Sequence, residues 1–191
     1  ATAIYNRGAA WRDKSEYDKS IADFNEAIRI KPKNAGFFHN RGYTWHVKGE
    51  FDKAIADYTE AIKLDPTNAL YFRNRGSALH DKGEYDRAIS DFNEAILLDP
   101  QNGVAFHNRG LSWFEKREFD KAITDYTEAI RLDPNDAIAR VHDRDIEITT
   151  RWREKTDQGD PILFAGHRLF MSRRQGIATG NCQHPGGGED E

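Results

Sequence analysis

Cys182 and His184, in the stretch NCQH, are the only cysteine–histidine pairing the chain offers. A tetrahedral zinc site needs four ligands, so two in a glycine-rich stretch fall well short. Other histidines, among them His39, His46, His80 and His107, stand in more regular sequence. On one helix His39 and His46 would lie about 10.5 Å apart along the axis, too far to share an ion at bonds of about 2.0–2.1 Å. Glycine recurs in the tripeptide Asn-Arg-Gly, but inside helical runs, where it cannot cradle a phosphate. Nothing matches a phosphate-binding loop, a metalloprotease helix, a calcium loop or a serine-nucleophile elbow. The expectation is a protein with no catalysis, no metal and no cofactor.

What carries these residues is a repeat. FHNRG begins at 38 and 106, FRNRG at 72 and IYNRG at 4, each step being 34 residues. On that step the chain divides into 1–34, 35–68, 69–102 and 103–136. Internal periods of this length signal stacked units, none of which buries its apolar face alone. Each copy holds two runs of helical spacing, such as Phe38, Gly42, Trp45 and then Ile55, Tyr58, Ile62. Lys48-Gly49-Glu50 separates them, and glycine can adopt the left-handed conformation that ends a helix. Asp65-Pro66 stops the second run, and Asn34, Asn68, Asn102 and Asp136 are N-cap candidates for the next helix. Gly8, Gly42, Gly76 and Gly110 fall mid-helix, at a cost of roughly 1 kcal/mol against alanine. Close approach to Ser20, Ala54, Ala88 and Ala122 on the second helix is the expected compensation.

Composition agrees with many small cores in series. The chain of 191 residues is 31% charged, and its mean hydropathy is -0.83. Its net charge of -4 argues against nucleic acid or an anionic membrane as partner. No apolar run approaches the roughly 18 residues of a membrane span and no signal peptide opens the chain, so the expectation is a soluble chain, with the cytoplasm favoured.

The recurring aromatic, glycine, aromatic, small residue, aromatic, alanine and proline resemble the tetratricopeptide repeat (TPR) family. In the second copy these are Phe38, Gly42, Trp45, Ala54, Tyr58, Ala61 and Pro66. The resemblance implies an all-α, right-handed α-solenoid of four 34-residue hairpins over 1–136, closed by a C-terminal capping helix at 137–155. A largely flexible tail, 156–191, would come after it, with an apolar segment at 161–171. Leu79 replaces a tryptophan, Ser20 an alanine, and Ser15 and Arg117 the hairpin glycine. Arg7, Arg41, Arg75 and Arg109 stand where the family usually has leucine, accompanied by Asp23, Asp57, Asp91 and Asp125. The expected role is a set of structural ion pairs setting the angle between helices or repeats. The rival reading presents the arginines to an acidic ligand, and Asp57→Asn separates the two: only the ion pair loses stability.

Family geometry also implies that the first helices line a concave groove. Tyr5, His39, Arg73 and His107 would then face it from the fifth position of each copy, and Arg12, His46, His80 and Phe114 from the twelfth. A metal there would need a cross-repeat pair such as His46 with His80. Several imidazoles together would instead change the charge of the groove near pH 6.5, or the row is simply a variable solvent face. Asn6, Asn40, Asn74 and Asn108 occupy the sixth positions. They either bond the backbone of a ligand or serve the neighbouring helix, and both readings stand. Tyr5, Tyr43 and Phe114 are candidate aromatic anchors.

The implied function is a protein-interaction scaffold holding a peptide or partner segment. Chaperone C-terminal tails are an unlikely ligand, because the clamp that grips them is absent. Counted from the first copy its five positions hold Tyr5, Ala9, Asn40, Leu70 and Asn74; from the second, His39, Tyr43, Asn74, Val104 and Asn108. Only one of the five matches either way. Two further readings are a homo-oligomer with the tail segment in its own or a neighbour's groove, and a docking part of a larger enzyme. The second rests on the uncapped start at Ala1, which suggests a longer polypeptide.

Overall fold

A computed structural model describes residues 1–133. Asp136, the helix expected at 137–155, the tail with its segment 161–171, and Cys182 and His184 lie outside the described residues. Within them the chain is all helical, an α-solenoid of hairpins: α1 Thr2–Asp13, α2 Tyr17–Ile30, α3 Ala35–Val47, α4 Phe51–Leu64, α5 Ala69–Asp81, α6 Tyr85–Leu98, α7 Gly103–Glu115 and α8 Phe119–Leu132. Odd and even helices pair within a repeat, and each even helix packs on the next odd helix.

The boundaries arise from local chemistry. Lys31, Asp65 and Asp99, each preceding a proline, leave the helical conformation, which the proline ring disfavours for the residue before it. Asn68 Oδ1 accepts from Leu70 N and Asn102 Oδ1 from Ala105 N, both at 3.1 Å. Asn34 holds the same position without a side-chain bond. The hairpin turns need positive φ: Gly49 and Gly83 sit at 83° and 84°, but Ser15 and Arg117 at 60° and 63°. An L-residue there pays about 1–2 kcal/mol, partly offset by glycine's greater freedom when unfolded. Ser15→Gly is therefore expected to stabilise the chain by about 0.5–1 kcal/mol in urea unfolding, and a loss would exclude strain at this turn.

The mid-helix glycines do approach the second helix closely, and the atoms nearest to them belong to its aromatic rings. Ser20, Ala54, Ala88 and Ala122 are fully buried. Yet a Cβ added at Gly8, Gly42, Gly76 or Gly110 would meet the ring of Phe24, Tyr58, Phe92 or Tyr126. Those rings lie where a side chain would stand and fill the core of each repeat. One is imperfectly accommodated: the Tyr58 hydroxyl is buried with no hydrogen-bond partner. Phe24 and Phe92 occupy the equivalent place without a hydroxyl. Tyr58→Phe should accordingly raise stability by about 1–2 kcal/mol, read from the urea midpoint at unchanged slope; a fall would mean the hydroxyl is satisfied.

Candidate functional site

The site residues sit on the odd helices, and their positions are fixed by bonds that cross from repeat to repeat. The arginine of Asn-Arg-Gly is the first such tie. Nε and Nη2 of Arg41 donate to the two carboxylate oxygens of Asp57 at 2.7 and 2.6 Å. Arg7–Asp23, Arg75–Asp91 and Arg109–Asp125 repeat this fork at 2.6–2.8 Å. The remaining nitrogen reaches the preceding even helix: Arg41 Nη1 donates to Asn25 Oδ1 at 2.7 Å, Arg75 to Thr59 Oγ1 at 3.1 Å and Arg109 to Asn93 Oδ1 at 2.7 Å. Each of these three guanidiniums thus joins three helices. Arg7 hydrogen-bonds hold the Asp23 carboxyl below its usual range. At Asp57 burial pushes upward against the pull of Arg41 and is the larger influence.

A second set of ties was legible in the sequence and missed there. Lys48 Nζ meets Asp18 at 2.5 Å and Lys82 meets Asp52 at 2.6 Å, while Lys116 pairs with Asp86. Both residue types recur on the step of 34, and that recurrence was the available signal.

Asparagine and histidine extend the ladder. Arg12 Nη1 donates to Asn40 Oδ1 at 3.0 Å, and Asn40 Nδ2 donates to the Gly36 carbonyl. Asn74 Nδ2 bonds His39 Nε2 at 2.7 Å, and Asn108 Nδ2 donates to Ser77 Oγ at 3.2 Å. Three of the four amides therefore reach the preceding odd helix, while Asn6 is exposed. Asn40 is used at both atoms. Oδ1 of Asn74 and of Asn108 carries no hydrogen bond among the described residues, so a ligand could still be met there, as a donor.

His39 and His80 are both desolvated. His39 lies between the Tyr58 and Tyr71 rings, at 5.7 and 5.0 Å. Burial, aided by Arg73 and Arg12, lowers its pKa to about 4. Burial lowers His80 as well. The expected change of groove charge near pH 6.5 is thus corrected for His39, which desolvation keeps neutral through that range; at His80 desolvation acts in the same direction. His80 Nδ1 meets Ser112 Oγ at 2.9 Å, and His46 Nε2 meets Asp81 at 2.6 Å. A neutral folded His39 costs nothing above pH 6.5. As pH falls from 6.5 toward 4 the unfolded chain binds a proton that the folded one refuses, so stability declines across that window. His39→Gln should flatten this part of the pH profile of the urea midpoint; an unchanged profile would assign the decline elsewhere.

The remaining candidates divide between core and surface. Tyr5 stacks on Phe37 at 5.2 Å and tilts on Phe24, which makes it part of a repeat junction. Phe114 packs edge-on to Phe119, and His107 against Tyr126. Tyr43 differs: it is 42% exposed, with the Arg12 guanidinium 5.2 Å from its ring centre. Arg73 is half-buried, its guanidinium without a hydrogen bond among the described residues, and burial lowers its pKa. No three His, Cys, Asp or Glu side chains cluster for a metal among the described residues. No described helix is long and apolar enough to cross a membrane.

The sequence profile of the tetratricopeptide repeat matches residues 1–34, 69–102 and 103–136, and a related TPR repeat profile matches 46–83. No curated protein matches the chain. Among solved structures, the TPR domain of Arabidopsis OM64 is 28% identical with a TM-score of 0.58, covering 59% of this chain and 93% of that one. The first TPR of Spaghetti (RPAP3), bound to the HSP90 peptide SRMEEVD, is 26% identical at 0.60, covering 63% and 94%. YrrB, a TPR protein at 24% identity and a TM-score of 0.67 over 75% and 74%, shares the fold.

Proposed function

The chain belongs to the tetratricopeptide repeat family, and from that premise we propose that its odd-helix face holds a peptide or partner segment, the chain acting as a protein-interaction scaffold without catalysis. The observation that carries this reading is Tyr43, an exposed aromatic ring on α3 braced by Arg12 across the repeat junction. A ring held from behind and open in front is the form of an interface anchor, because little side-chain freedom remains to be lost on binding. The ladder beside it supplies acceptors, Asn74 Oδ1 and Asn108 Oδ1, suited to backbone N–H groups of an extended segment. Arg73 adds a cation with no hydrogen-bonded carboxylate among the described residues.

The related domain that carries an HSP90 peptide supports the class of ligand. It does not extend to the peptide itself, since this chain lacks the terminal-carboxylate clamp at both possible registers. The test is capture of partners by the parent chain and by a Tyr43→Ala, Arg73→Ala double variant of equal helicity. Proteins held by the parent and lost by the variant would support the odd-helix face, and overlapping peptides from them would define the segment. Identical sets from both baits would overturn the reading.

A further inference from the structure

Each even helix passes to the next odd helix through a short loop, and these loops share one edge of the array. Among the described residues they are 31–34, 65–68 and 99–102. An apolar residue closes the helix before each: Ile30 is 42% exposed, Leu64 39% and Leu98 38%. The 34-residue step sets these three in a row along the edge. At the first and third loops the repeat breaks its own pattern. Arg29, Lys63 and Arg131 each pair with the glutamate one turn back, Glu26, Glu60 and Glu128. In α6 the cation's place is taken by Leu97, 73% exposed, and the Glu94 carboxylate has no partner among the described residues. Asp99 adds a second carboxylate, of which only Oδ1 is used, by Gln101 N at 3.2 Å. The first loop departs in the opposite sense. Lys31 stands where the other copies have aspartate, and Lys33 where they have Thr67 and Gln101. Both lysines are exposed, and neither ammonium has a partner among the described residues. One edge thus carries an apolar patch with two cations and, two repeats on, an apolar patch with two carboxylates.

We propose that this edge docks a second copy of the chain, the two copies meeting antiparallel about a two-fold axis at the second loop. Ile30, Lys31 and Lys33 of each copy then meet Glu94, Leu97, Leu98 and Asp99 of the other, so both contacts form at once. Leu64 meets its own counterpart on the axis, where the Asp65 carboxylate is tied to Thr67 N and Oγ1. Setting like patches together would oppose cation to cation and carboxylate to carboxylate, which disfavours any other register. A second copy is the occupant because the chain itself supplies both halves of the match. Exposed ion pairs contribute about 0–1 kcal/mol each, so the apolar side chains supply most of the affinity and the charges fix the register. The area is small, which makes this a weak, reversible dimer. None of these residues belongs to the peptide face proposed above.

Sedimentation of the intact chain from about 1 μM to 1 mM, the weak limit of specific affinity, should show a concentration-dependent dimer. Leu97→Arg rewrites the position as it stands in α2 and α8 and gives Glu94 its missing partner, so helicity should be kept. It removes the most exposed leucine from both symmetric contacts and should weaken dimerisation about tenfold or more. Two further chains test the register: Lys31→Glu with Lys33→Glu, and Glu94→Lys with Gln101→Lys. None of these four side chains has a hydrogen bond to lose among the described residues. Each chain alone should fail to dimerise over the same range, since both of its contacts become like-charged. An equimolar mixture should dimerise, because in the mixed pair every cationic patch meets an acidic one. A monomeric parent up to about 1 mM would leave the edge to a foreign partner and overturn the proposal. So would a dimer unchanged by Leu97→Arg, which belongs to another surface, or a mixture that shows no recovery, which excludes the antiparallel register.

Discussion

Asp91→Asn is expected to lower the unfolding free energy by about 2–4 kcal/mol, below the cost of breaking a fully buried pair and above that of a surface one. Asp91 is 6% exposed and takes both arms of the Arg75 fork, whose third nitrogen is on Thr59. Asparagine keeps the volume but removes the charge and turns one acceptor into a donor facing a donor. The guanidinium is then left half-buried without its counter-charge, and its bond to α4 loses its anchor. Arg75→Met with Asp91→Leu should recover much of the loss, since an apolar pair of similar volume often replaces an ion pair without penalty. Arg7→Ala is the internal control: that side chain is mostly exposed and, among the described residues, hydrogen-bonds only Asp23, so its effect should be clearly smaller. Urea unfolding followed by helicity reads all of these. A ΔΔG near zero for Asp91→Asn would show the pair to be ornamental to the fold and return the arginines to the ligand-binding reading.

Gly76→Val should cost about 3 kcal/mol and Gly76→Ala about 1–2 kcal/mol, opposite in sign to what helix propensity alone gives. Alanine would gain roughly 1 kcal/mol in an exposed helix. At Gly76, however, a Cβ stands 2.8 Å from Phe92 Cε1 and 3.0 Å from Cδ1. Phe92 is fully buried, so its ring cannot swing away without moving α6 against α5. Overpacking of this kind costs about 1–3 kcal/mol and exceeds the propensity gain. At Gly8 the nearest contact is 3.2 Å, so Gly8→Ala should be milder. Gly76→Ala combined with Phe92→Leu should lose less than the sum of the single changes, because the smaller side chain yields the space. Strict additivity, or stabilisation by Gly76→Ala, would show that the ring adjusts freely.

The repeat and its helices were legible because they are local. Period, hairpin glycine, Asp-Pro stop and the two apolar runs each report on a few neighbouring residues, and the 34-residue step multiplies that signal. The pairing of Arg41 with Asp57 was legible too, since two charges of opposite sign recurring together on facing helices leave few other partners. Contact identity was not. That the atoms nearest a Cβ on Gly42 belong to Tyr58 and Asp57 depends on how one helix is rotated against the other, a property of packed rings that spacing does not contain. The same holds for Asn40, Asn74 and Asn108: the sequence placed them on one face, but only the distance between successive odd helices decided that they reach each other's repeats. His39 is the sharpest case. Its residue type sets a pKa near 6.5, while the two tyrosine rings that enclose it and the two arginines that help lower it come from three other helices. Local chemistry wrote the scaffold; desolvation and helix rotation, which exist only once the repeats stack, decided which of its polar groups remain available to a partner.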